Sequence, residues 1–120
     1  MFELNIKGHF AASHFLKGYE GKCKNLHGHT WKVEMAVASD RLDSVGMVAD
    51  FAVVKKELRD FLEKLDHVHL NETPPFDKTN PTTENLAKYI FDEFGQKHRQ
   101  YHIKRVTVWE SDTASITYQP

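Results

Sequence analysis

The chain has 120 residues, with 16 Lys and Arg against 17 Asp and Glu for a formal net charge of −1. That balance lacks the electrostatic footprint of a nucleic-acid or anionic-membrane binder, and the length suits one domain, residues 1–120, with one core. A single cysteine excludes an intramolecular disulfide framework; with no charged-then-apolar leader and no apolar run of about 18 residues, a cytoplasmic protein with neither nucleic-acid nor membrane partner is expected.

In chain order, Phe2, Leu4, Ile6, Phe10 and Ala12 alternate with Glu3, Asn5, Lys7 and His9, which predicts a strand from about Phe2 to Phe15 with one buried face. Leu16 to Leu26, with Gly18 and Gly21 and no periodicity, reads as a long hairpin connection. A second strand follows, with Trp31, Val33, Met35 and Val37 on one side and Thr30, Lys32 and Glu34 on the other. Val48, Phe51, Val54, Leu58, Phe61, Leu62 and Leu65 recur at helical spacing, predicting a helix over about Asp50 to Leu65 with Asp50 as N-cap.

His67 to Pro81 holds three of the four prolines and reads as irregular. Thr82 or Thr83 then caps a second helix bearing Leu86, Ala87, Ile90, Phe91 and Phe94, with Gly95 as its expected stop. Ile103 to Glu110 and Ala114 to Gln119 form a second hairpin. The order ββααββ predicts an α+β fold in which an antiparallel four-stranded sheet lays one face on two helices. Its two open edges predict a homo-oligomer.

Eight histidines are the compositional excess. His27 and His29 are two apart, so on an extended chain both rings share the face of Trp31, with Gly28 between them to let the backbone adjust. His14 has the phase of Phe10 and Ala12, and an antiparallel hairpin sets it opposite His27 or His29 while pairing Phe10 with Trp31 or Val33. Three histidines with a free fourth position is the pattern of a catalytic zinc site, although iron and nickel also accept imidazole. Cys23 could close that site, pack as a small hydrophobe or act as a thiolate; Lys22 and Lys24 favour the reactive role.

In Asp66-His67 a carboxylate adjoins an imidazole after the first helix, as acid–base work near neutrality requires, though a solvated helix end is the commoner meaning of such a pair. His69, His98 and His102 read as loop or surface. Glu110 continues the buried phase of Val106 and Val108, where a carboxylate must be paired, by an Arg or a planar ligand's two N–H groups, or else bend out to solvent.

These blocks, with Gly46-Met47-Val48-Ala49-Asp50-Phe51, Leu70-Asn71, Pro81-Thr82-Thr83-Glu84-Asn85 and Trp109-Glu110, resemble the 6-pyruvoyltetrahydropterin synthase superfamily in order and spacing over essentially the whole chain. Within it, the three residues between Cys23 and His27 resemble the 6-carboxytetrahydropterin synthase branch of queuosine biosynthesis, since the pyruvoyl-forming relatives have a longer insertion there. Ser111 stands where the family commonly has Thr.

The resemblance implies a tunnelling fold whose subunits close a barrel as a trimer, two trimers making a hexamer. It implies zinc on His14, His27 and His29, proton transfer by Cys23 and by an opposing Asp66–His67 relay, and a pterin gripped by Glu110, with Thr82, Thr83 and Glu84 near the pocket at a subunit interface. The implied reaction converts 7,8-dihydroneopterin triphosphate to 6-carboxy-5,6,7,8-tetrahydropterin, a carbon–carbon lyase step. The alternatives are a pyruvoyl-forming synthase and a non-catalytic zinc- or pterin-binding oligomer.

Overall fold

The structure, a computed structural model, describes residues 1–21 and 24–120. Two 13-residue strands, β1 (Phe2–His14) and β2 (His27–Ser39), form a long antiparallel ribbon. β2 starts three residues earlier than its apolar alternation, so His27 and His29 lie on the strand itself. The pairing is the one the apolar pattern predicts: Phe10 opposes Trp31, Ala12 opposes His29 and His14 opposes His27. Next come α1 (Phe51–Leu62), running into a single 3₁₀ turn over Glu63–Leu65, then β3 (Val68–His69), α2 (Thr83–Lys97), β4 (Ile103–Ser111) and β5 (Ala114–Tyr118).

The sheet order is β3-β1-β2-β4-β5. The four long strands are antiparallel as expected, and the two-residue β3 adds a parallel fifth. The His67 to Pro81 segment is therefore more ordered than its prolines suggest. Asp66 Oδ1 accepts from Ala11 N at 2.8 Å and His67 N donates to Ala11 O, so both outward backbone groups of Ala11 are taken. The chain then pairs with Ala12 and Ser13 and makes a 3₁₀ turn over Leu70–Glu72.

Both helices cover one face of the sheet. Val54, Leu58, Phe61 and Leu62 of α1, and Leu86, Ala87, Ile90 and Phe94 of α2, bury against Ile6, Phe10, Trp31, Val33, Met35, Val106 and Val108. Gly8 shares that inner face, and a Cβ there would meet Leu62 Cδ1 at 3.0 Å and Leu58 Cδ2 at 3.3 Å, so its missing side chain lets α1 lie close on β1. Asp50 caps α1, accepting from Ala52 N at 2.8 Å, and Thr82 caps α2, accepting from Asn85 N at 3.1 Å.

α2 does not stop at Gly95; it continues to Lys97 with His98 as its C-cap. The cause is side-chain anchoring. The His98 ring stacks on Phe94 at 4.3 Å, and its Nδ1 lies 2.6 Å from Glu57 of α1, so the last turn gains contacts that a stop at Gly95 would forfeit. His98 is thus part of the packing between the helices, not a surface group. His69 is also half-buried, its Nδ1 3.2 Å from Ser13 Oγ, whereas His102 is exposed.

Candidate metal centre

Three imidazoles converge at the end of the β1–β2 ribbon because strand periodicity and register leave them no other place. The ring centroids of His14 and His27 are 4.5 Å apart, those of His27 and His29 4.7 Å, and those of His14 and His29 5.2 Å. Trp31 floors the cluster, its ring 4.9 Å from His14 and 5.1 Å from His29. Gly28 is not sterically required between the ligands, since a Cβ there would only touch Ala12 O at an ordinary 3.9 Å.

The protonation pattern follows from the partners. His14 Nδ1 lies 2.8 Å from Pro81 O and His27 Nδ1 lies 2.6 Å from Asn25 O. A carbonyl oxygen only accepts, so each Nδ1 carries a proton, and in the neutral ring that tautomer leaves the lone pair on Nε2. The Nε2 atoms of His14, His27 and His29 are all buried without a hydrogen-bond partner. Three such orphans in one place are costly unless something binds them. Burial holds the His14 imidazole below the usual histidine value, against the opposing pull of Pro81 O, and burial likewise lowers His29 against the attraction of Glu110. Neutral rings with carbonyl-anchored Nδ1–H groups are what a metal-ligating histidine needs.

Glu110 joins them from β4. Its Oε1 is 3.0 Å from His29 Nε2, and its Oε2 accepts from Thr83 Oγ1 at 2.8 Å. His14, His27, His29 and Glu110 each offer a ligand atom within 4.8 Å of the others, a set that could hold a metal ion. Glu110 therefore neither meets an Arg nor bends out to solvent as a strand-end carboxylate.

The residues expected beside this site divide. Thr82 is occupied as the α2 cap, Thr83 is buried on Glu110, and Glu84 is exposed. Asp66 and His67 do touch, Nδ1 to Oδ2 at 3.0 Å, and the backbone bond from Ala11, with lesser help from His67, keeps the Asp66 carboxyl below the usual range. That pair stands outside the metal-ligand group, and the His67 side chain is 84 % exposed. Cys23 lies outside the described residues.

Two features escaped the sequence reading. The carbonyls of Asn25 and Pro81, which set the tautomers, carry no side-chain signal at all. Asn71 and Asn80 clamp the chain leaving β1, each using its Oδ1 and Nδ2 on one residue's N–H and C=O, Phe15 and Lys17 respectively. Asn71 and the Pro81 block had been visible only as pieces of a motif.

The sequence profile described as 6-pyruvoyl tetrahydropterin synthase matches residues 3–120, and the chain belongs to that family. It is 35% identical over 128 residues to the 6-carboxy-5,6,7,8-tetrahydropterin synthase of Bacillus subtilis, covering 99% of this chain and 86% of that one. It is 34% identical over 124 residues to the human 6-pyruvoyl tetrahydrobiopterin synthase, covering 92% and 86%. The solved 6-pyruvoyl tetrahydropterin synthase of Caenorhabditis elegans superposes with a TM-score of 0.88 at 27% identity, covering 99% of this chain and 95% of that one. Relatives named as tetrahydropterin synthases support an enzyme acting on a pterin.

Proposed function

We propose that this chain is a zinc-dependent 6-carboxy-5,6,7,8-tetrahydropterin synthase of queuosine biosynthesis, converting 7,8-dihydroneopterin triphosphate with release of acetaldehyde and triphosphate. The observation that carries the reading is the trio of buried, unpartnered Nε2 atoms, two of them on rings whose Nδ1–H is anchored by a carbonyl, in a chain of this family. His14, His27 and His29 would hold the zinc, which supplies Lewis acidity toward side-chain hydroxyls. Cys23 moves one proton and the Asp66–His67 pair another. Asp66 is ionised and orients the ring; the exposed His67 suits a relay that reaches its substrate across a subunit contact.

Glu110 grips the pterin N–H edge, with Thr83 holding the carboxylate from behind and Thr82 and Glu84 bordering the pocket. With water supplying the second carboxyl oxygen, one side-chain carbon stays as the carboxyl and two depart as acetaldehyde. The electrons lost at the two carbons of the cleaved bond go to the pterin's C6=N5 bond and to the carbon that sheds triphosphate and ends as the methyl, so a retro-aldol-like cleavage makes the enzyme a carbon–carbon lyase.

A homohexamer built as a dimer of trimers is part of this reading. From Phe2 to Phe10 the outer edge of β1 is unpaired in the described sheet, as is the outer edge of β5. Phe2, Leu42, Met47, Val48 and Phe51 line an open apolar groove of about 490 Å³. No helix among the described residues is long and apolar enough to cross a membrane. With one cysteine, the reading places the enzyme in the reducing cytoplasm.

The human relative favours a second reading, triphosphate elimination to the pyruvoyl product. Mass spectrometry of the product from the triphosphate substrate separates the two: acetaldehyde with a carboxypterin supports the first, a pyruvoyl pterin with no acetaldehyde the second. Cys23→Ala should keep its metal and lose roughly 10²-fold or more in turnover. Metal loss in that variant would make Cys23 a ligand, and near-normal turnover would remove it from the chemistry.

A further inference from the structure

We propose that Asn71 and Asn80 are positioning residues for the loop that carries Cys23, holding its first residues so that the thiol is presented to the substrate in one place. The inference rests on the proton-transfer role given to Cys23 above.

Pairing of β1 with β2 ends at His14 and His27, so residues 15–26 have no strand ladder to hold them. The described part of this connection is mostly exposed, and Gly18 stands at φ +75°. A segment with few buried contacts and no ladder opens at little cost in free energy. Two carboxamides oppose this where the loop begins. Phe15 N donates to Asn71 Oδ1 at 2.9 Å, and Asn71 Nδ2 donates to Phe15 O at 3.1 Å. Lys17 meets Asn80 in the same way, with both distances 3.1 Å. Among the described residues, the other hydrogen bonds of this connection are local, from Lys24 N to Gly21 O and between His27 Nδ1 and Asn25 O.

Each carboxamide does what a neighbouring strand would do. It presents one acceptor and one donor to the N–H and C=O of a single residue, so side chains continue past His14 the support that β3 gives to Ala12 and Ser13. Asp lacks the donor, and Gln is longer by a methylene. Both clamps are mounted on fixed parts of the fold. Asn71 follows the fully buried Leu70 in its 3₁₀ turn, and the Asn80 carbonyl accepts from Thr82 N and from Asn85 Nδ2, both at 2.8 Å. The held chain therefore extends to Lys17, which leaves 18–26 to be ordered before β2. Because the amide oxygen and nitrogen of each Asn are already engaged with the loop backbone, these residues act through the loop and not on the substrate.

Hydrogen exchange and a double-mutant cycle test the proposal together. With Asn71→Ala and Asn80→Ala combined, the amides of Phe15 and Lys17 should exchange faster, while bound zinc and KM stay near the wild-type values. Turnover should fall roughly 10-fold to 100-fold, the effect of displacing a reacting group by about 1 Å. In a Cys23→Ala background the same two changes should lower kcat no further, because the group they place is gone. A general weakening of the structure would lower it by the same factor in both backgrounds. Asn80→Ala alone, at the more exposed clamp, serves if the combined variant does not fold.

Wild-type turnover, unchanged amide exchange, loss of zinc, or a full further loss in the Cys23→Ala background each overturns the proposal. Near-normal turnover by Cys23→Ala alone, or no turnover of the triphosphate by the wild type, instead removes the reading of Cys23 and this role with it.

Discussion

What a histidine does in this chain is set by the partner of its second nitrogen. At His14 and His27 that partner is a backbone carbonyl, which pins Nδ1–H and leaves Nε2 free to bind. At His98 the partner is the Glu57 carboxylate, and the ring serves as packing between Phe94 and Tyr101. The three site imidazoles act as a unit, so His29→Ala should lower bound metal well below one equivalent per chain by elemental analysis; undiminished metal would remove His29 from the ligand set.

Tyr101 belongs to the packing group. Burial, followed by its 2.6 Å hydrogen bond to Glu57, pushes its phenol up to about 12. Because the folded value is raised from 10.0, this contribution to stability is complete below pH 10 and is lost as pH rises toward 12. Tyr101→Phe should cost about 1 kcal/mol at neutral pH. Urea titrations at several pH values should also show a smaller alkaline loss of stability in this variant than in the wild type.

At the scale of elements, the β1–α1 contact decides how closely a helix can lie on the ribbon that carries His14. Gly8 is the point of nearest approach, with the Leu58 and Leu62 side chains where its Cβ would be. Gly8→Val should cost roughly 1 to 3 kcal/mol through overpacking, although valine suits a strand better than glycine. Thermal unfolding would report this as a midpoint several degrees lower; an unchanged midpoint would mean that α1 shifts freely. α2 matters differently, since its N-terminal end holds both His14, through Pro81 O, and Glu110, through Thr83. One helix start thereby fixes an imidazole and a carboxylate that are 96 positions apart in the chain, counting from 14 to 110.

For the whole molecule, shape is the constraint. The fold measures 52 × 23 × 22 Å, a ribbon with helices on one side and a polar opposite face where Glu3 bridges Lys104 and Arg105. The open edges and the exposed Phe2, Val45 and Phe51 leave apolar surface that a monomer rarely tolerates. Under the proposed hexamer, light scattering should give six times the mass of one chain, and Phe51→Asp should lower that mass while its circular dichroism stays that of the folded protein. A wild-type monomer would overturn the assembly. It would also leave the Asp66–His67 relay without the subunit contact proposed for it.

Local chemistry written along the chain was enough to place both long strands, both helices and the Asp50 cap, and to narrow the second cap to Thr82 or Thr83, because period-2 and period-3.6 burial and side-chain capping are short-range effects. The same periodicity placed His14, His27 and His29 on one face. It also narrowed the register, since pairing Phe10 with Trp31 and pairing the histidines are a single choice. Only the tertiary structure decided which partners the remaining polar groups find. That α2 runs past Gly95 depends on Glu57, 41 positions before His98. That a proline-rich segment supplies β3 depends on an edge strand at Ala12. That Glu110 faces the imidazoles, held by Thr83 and not by an arginine, depends on α2 crossing β4 at that point. Burial repeats along a chain and can be read from it; hydrogen-bond partnership joins groups far apart in sequence and exists only once the layers have packed.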